Sequence, residues 1–139
     1  MKAVAIYCVD GRLENTRARV RQFVNTLGYE ISDGNLYGIT KPGPDATCSG
    51  MRGALHEDSV LEDINLLLER GVEIGAVILV AHAECAGHQV PNDDHKSHVE
   101  EGARKLHGRY NVPVVALFDE KTESGQWELC LCSHFVPNN

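Results

Sequence analysis

The chain has 139 residues, 42% of them apolar, and a formal net charge of −7, which gives one domain over 1–139 enough material for its own core. The basic residues form no block, so neither nucleic acid nor an anionic membrane is expected as a partner. The longest apolar run, Gly75 to Ala81, is far too short to cross a bilayer, no cleavable leader is visible, and five cysteines scattered at 8, 48, 85, 130 and 132 fit reduced thiols and metal ligation in a cytoplasmic protein better than a disulfide framework.

Residues 3–9 read as a buried strand. Over 13–27, Leu13, Val20, Phe23, Val24 and Leu27 recur at helical spacing, with Gly28 as a stop. Tyr29-Glu30-Ile31 and Leu36-Tyr37-Gly38-Ile39-Thr40 flank a turn-like Ser32-Asp33-Gly34-Asn35, so at least one short strand is expected there. Residues 41–53, with two prolines and three glycines, read as a loop. The clearest helix is 57–70, where Val60, Leu61, Ile64, Leu67 and Leu68 form an apolar face and Gly71 ends it. A strand over 74–81, a polar loop over 82–93, and a helix over 94–108 with Val99, Ala103 and Leu106 inward come next. Val112 to Phe118 is a strand, and Trp127 to Cys132 is a last strand antiparallel to it.

The order β-α-β-α-β-α-β-β predicts an α/β fold: a mostly parallel sheet of about four parallel strands in the order 2-1-3-4, an antiparallel C-terminal strand, and helices on both faces. The switch point then falls between the first and third strands, and ligands of open α/β sheets bind outside the carboxyl ends of strands at such a point. Both of those strands run into metal-ligand residues. The first ends in Cys8-Val9-Asp10-Gly11-Arg12, the second in His82-Ala83-Glu84-Cys85. Neighbouring strands lie about 4.8 Å apart, so Cys8, His82 and Cys85 can share one Zn2+, a set that leaves a fourth position for water or substrate. Alternation along an extended segment puts Asp10 and Arg12 on one side, where they can form a bidentate carboxylate–guanidinium pair. Cys8 taken alone also fits an ordinary buried thiol.

Cys8-Val9-Asp10-Gly11-Arg12 resembles the Cys-x-Asp-x-Arg signature of β-class carbonic anhydrases, and His82-Ala83-Glu84-Cys85 resembles that family's His-x-x-Cys. The stretch Val114 to Asp119, with Thr122 to Gly125, is similar to its late strand and turn. The resemblance implies zinc on Cys8, His82 and Cys85, with Asp10 as hydrogen-bond acceptor or gate held by Arg12. It implies reversible hydration of CO2 to bicarbonate by zinc-bound hydroxide, with His88 as the nearest histidine for proton relay. A homodimer or higher homo-oligomer is also implied, through surfaces such as the last strand and the 94–108 helix. The sequence departs from the family pattern in three places. Ala86 precedes Gly87 after the second Cys. An Arg-Asn-Ala-Gly-like stretch is replaced by Thr40 to Gly50. No N-terminal helical arm precedes the first strand. Two other readings share the metal set: a zinc hydrolase for a CO2-like molecule such as carbon disulfide or carbonyl sulfide, and a non-catalytic zinc-binding or sensor domain, which a fourth thiolate from Cys48 would favour. His95 and His98, an i,i+3 pair, read as a solvated helix face, with a second metal site or a proton relay as the alternatives; Cys130 and Cys132 read as structural thiols.

Overall fold

A computed structural model describes residues 1–10 and 12–137. Gly11, inside the first motif, lies outside the described residues. Five strands form one sheet: β1 (Lys2–Tyr7), β2 (Leu36–Thr40), β3 (Ile74–His82), β4 (Val114–Lys121) and β5 (Trp127–Phe135). Their order is β2-β1-β3-β4-β5, parallel throughout except for β5 against β4. The α/β class, the strand order and the antiparallel last strand are therefore as the sequence predicts.

The helices are α1 (Thr16–Thr26), α2 (Pro44–Ser49), α3 (Ala54–Glu69) and α4 (Asn92–Tyr110). Alternation along the strands sorts the core into two layers. Val4, Ile6, Val77 and Leu79 meet Val60 and Ile64 of α3 and Val99, Ala103 and Leu106 of α4 on one face. Ala3, Ala5, Ile78 and Val80 meet Val20 and Val24 of α1 on the other. The central strand β3 is buried on both faces from Ala76 to His82, which explains its unbroken apolar reading. Among the described residues, no helix is long and apolar enough to cross a membrane.

Two local expectations are corrected, on the 41–53 segment and on Leu68. The 41–53 segment is not all loop: Gly43 at φ 55 leads Pro44 into α2, proline at a first helical turn losing no hydrogen bond. The short strand expected around the turn at 32–35 is β2, while Asn25 holds the backbone of Ile31, its Nδ2 donating to the Ile31 carbonyl at 3.0 Å and its Oδ1 accepting from the Ile31 N–H at 3.0 Å. Leu68 is 42% exposed rather than part of the α3 core face.

The register places the site. Ile6 pairs with Leu79 across β1 and β3, and His82 pairs with Asp119 across β3 and β4. The carboxyl ends of β1 and β3 therefore open side by side at the switch point. Asp119 is fully buried there and takes a bidentate pair from Arg19 of α1, at 2.9 and 2.5 Å.

Candidate metal centre

Cys8 is the first residue beyond β1, and His82 is the last of β3. Glu84 takes the left-handed conformation, φ 55, and so turns the chain back to bring Cys85 beside His82. All three side chains are buried. One ligand atom from each lies within 4.8 Å of the other two, and the two sulfurs stand 3.9 Å apart. Among the described residues, Asp10, Cys48, Cys130 and Cys132 lie outside this cluster. Cys48 is packed under α3 and α4, where burial pushes its thiol up to about 12.

The donors fit zinc. Two thiolates on a tetrahedral zinc at about 2.3 Å each stand about 3.8 Å apart. His82 Nδ1 donates to the carbonyl of Ala83 at 2.7 Å, which fixes the tautomer and leaves the lone pair on Nε2. That Nε2 is buried without a hydrogen-bond partner. The remaining side of the centre is closed by Trp127, whose ring stands edge-on to His82 at 5.9 Å and packs with Cys8 and Cys85.

The electrostatics favour bound cation. The hydrogen bond between the two thiols pulls the Cys8 pKa down, and the backbone N–H groups of Gly43 and Asp10 add to this against the cost of burial. The same pairing, with burial, pushes Cys85 up. The two sulfurs thus share one hydrogen, and a cation would replace it. Burial opposes charge on His82, but the Cys8 thiolate outweighs it and raises the pKa.

Asp10 and Arg12 form the expected pair, with Arg12 Nη2 at 2.7 Å and Nε at 3.1 Å from the carboxylate and the Arg12 N–H at 2.9 Å. Arg12 holds Asp10 down to about 2, so the carboxylate is ionised at neutral pH. Arg12 Nη2 also donates to the Glu84 carbonyl at 2.7 Å. A cleft of about 790 Å3 opens over Cys8 and Cys85, with Asp10 on one wall and Val9, Pro42, Ala86 and Val90 on the others.

The wall is held by a close approach that the composition of 41–53 only hinted at. A Cβ on Gly87 would lie 2.7 Å from the Gly43 nitrogen and 2.9 Å from the Pro42 carbonyl carbon, and one on Gly43 would lie 2.9 Å from the Gly87 oxygen. Two glycines thus let the loop after Cys85 press on the entry to α2. Sequence reasoning also missed Trp127, whose signal was its being the only tryptophan in the chain, and Asp45, hidden in a segment read as loop. His88 sits on the far side of the Cys85 loop, its Nε2 2.8 Å from His98 Nδ1. His95 is fully buried and hydrogen-bonded through Nδ1 to Asp45 Oδ2 at 2.7 Å, so it is not on a solvated face.

A family model described as "Putative carbonic anhydrase" matches residues 1–130. The chain belongs to this family. Among solved structures, the carbonic anhydrase of Streptococcus mutans matches with 16% identity and a TM-score of 0.56, covering 95% of this chain and 84% of that one. A carbonic anhydrase from Glaciozyma antarctica matches with 14% identity and a TM-score of 0.55, covering 94% and 81%. The β-carbonic anhydrase isoform I of Trichomonas vaginalis matches with 16% identity and a TM-score of 0.52, covering 94% and 85%. No curated protein matches the chain. These structural likenesses establish the fold, and together with the family model they bear out the resemblance read from the two motifs.

Proposed function

We infer that this carbonic anhydrase family member is a zinc lyase that interconverts CO2 and bicarbonate. The observation that carries the reading is the spacing of its donors. Two sulfurs 3.9 Å apart line an open cleft, and a ring nitrogen of the buried His82 lies within 4.8 Å of both. Cys8, His82 and Cys85 would hold the metal; bound there, zinc would lower the pKa of a water to about 7 and so supply hydroxide near neutral pH. Three donors rather than four favour an open position, and the placement of Cys48 elsewhere removes the fourth thiolate on which a purely structural zinc site would rest.

The protein's own groups do the rest. Asp10, ionised and held by Arg12, offers a carboxylate that accepts a hydrogen bond from the reacting water and orients it. Arg12 keeps that carboxylate off the metal position. Val9, Ala86 and Val90 give the cleft an apolar wall, which suits a small uncharged substrate that loses little hydration on entry.

Stopped-flow CO2 hydration on the zinc-loaded chain, at neutral and at alkaline pH, tests this. The expected result is zinc-dependent hydration, with C85S losing both metal and rate. A chain holding one tight zinc with no hydration at either pH overturns it; turnover of carbon disulfide or carbonyl sulfide in its place would mark the hydrolase. Homo-oligomerisation belongs to the same proposal, supported by the edge position of β5 with Leu131 exposed; light scattering that finds only monomer removes it.

A further inference from the structure

Behind the cleft, α2 and α4 bury a second group of ligating side chains. Asp45, the second residue of α2, is 0% exposed, as is His95 of α4. His95 Nδ1 donates to Asp45 Oδ2 at 2.7 Å, and His88 Nε2 approaches that same oxygen at 3.8 Å. His88 Nε2 is in turn 2.8 Å from His98 Nδ1. One ligand atom from each of Asp45, His88 and His98 lies within 4.8 Å of the others.

Two features set this group apart from an ordinary buried network. Asp45 Oδ1 is buried with no hydrogen-bond partner, and so is His95 Nε2; buried polar atoms are nearly always satisfied. The side chains also come from three separate segments, and the segment carrying His88 is pressed onto the entry of α2 by the Gly43–Gly87 contact. We propose that Asp45, His88 and His98 form a second cation site, for a divalent first-row transition metal such as zinc or cobalt, distinct from the Cys8–His82–Cys85 centre.

Two imidazoles and a carboxylate are a donor set for such ions. Two nitrogens on a tetrahedral zinc stand about 3.3 Å apart, so His98, half-buried on α4, needs to swing by only roughly 0.5 Å. The hydrogen now shared by the two rings moves to the far nitrogen of its own ring, leaving a lone pair on each. Burial, the largest influence, holds His88 below an ordinary imidazole and so neutral, the state a ligand requires. His95 would be the outer partner: its Nδ1–H fixes the Asp45 carboxylate, as second-shell hydrogen bonds do in metal sites. A cation on His88 Nε2 excludes that nitrogen from carrying protons, so this site and the His88 relay expected from the sequence are alternatives.

Cobalt(II) titration of the chelator-stripped full chain separates the two centres, because only the Cys8–His82–Cys85 centre gives thiolate-to-cobalt charge transfer. Two equivalents are expected. C85S should lose the charge-transfer equivalent and keep the other; H98A and H88Q should keep the charge transfer and weaken the other equivalent at least tenfold, with unchanged far-ultraviolet circular dichroism. A native chain whose only equivalent is the charge-transfer one, or a non-thiolate equivalent that H98A and H88Q both leave untouched, overturns the proposal. Loss of the charge-transfer equivalent alone would count against the proposed function and leave this site standing. If a variant does not fold, the native stoichiometry and the remaining variant decide.

Discussion

Arg12 donates from Nε and Nη2 to the Asp10 carboxylate and from Nη2 to the Glu84 carbonyl, so one side chain ties the end of β1 to the turn after β3. Asp10 is only 13% exposed while Arg12 is 49% exposed, and a solvated pair of this kind adds little stability by itself. Its value is geometric, since it fixes where a carboxylate stands relative to the metal position. R12A is therefore expected to retain zinc but lose about 10–100-fold in hydration rate, a loss in line with a reacting group misplaced by about 1 Å. The pair also has a pH signature. Asp10 titrates at about 2 in the folded chain, below its ordinary 3.8. Its contribution is therefore full above about pH 4 and disappears as pH falls through about 2. The stability gap between the native chain and R12A, from chemical unfolding at a series of pH values, should be constant above about pH 4 and close below it. A gap that persists undiminished at the acid end would show that Arg12 acts through Glu84 rather than Asp10.

At the level of elements, the centre depends on two loops touching without side chains between them. In G87A the new Cβ would meet backbone atoms of Pro42 and Gly43 at 2.7–2.9 Å, and backbone cannot rotate away as a flexible side chain can. Overpacking of this kind costs about 1–3 kcal/mol. The loop carrying Cys85 must lift, so G87A should both lower stability by that amount and weaken zinc retention; competition with a chelator measures the second. An unchanged zinc affinity would show that Cys85 is positioned by the Glu84 turn alone. This contact also marks the limit of what the sequence discloses. The strands, their order and the meeting of Cys8, His82 and Cys85 were legible, because each strand is an apolar run and each of the two motifs follows one directly. The 41–53 segment was not, because proline and glycine signal a break in periodicity whether they end a helix or begin one. Gly43 and Pro44 begin one. His95 was misplaced for a related reason. Spacing identifies which residues share a helix face, but whether that face meets water depends on the buried Asp45 that α2 brings to it. The Arg19–Asp119 pair joins residues 100 positions apart, and no local pattern announces such a partner.

Across the whole molecule, the proposed metal centre would clasp distant parts of the chain together. Its ligands come from the end of β1 and from the end of β3, with Trp127 of β5 packed against them. In the unfolded chain, bringing residue 8 to residues 82 and 85 requires closing a long loop, so zinc at this proposed site would bind the folded state far better than the unfolded one. Its contribution is then set by mass action: free zinc at about a thousand times its dissociation constant adds about 4 kcal/mol. For a domain of this size that corresponds to about 10–20 °C in Tm. With H98A as the parent, chelation should lower Tm by this amount, leave the double variant H98A/C85S unmoved, and change the fluorescence of the only tryptophan at the same zinc occupancy, because Trp127 touches both the thiols and His82. Running the comparison in H98A keeps cation binding between α2 and α4 from adding to the shift. If zinc-loaded H98A melts at the same temperature as its stripped form, zinc does not favour the folded chain over the unfolded one, and the clasp is ruled out. If the shift appears and Trp127 reports it, the same ion that completes the site also locks β1 to β3.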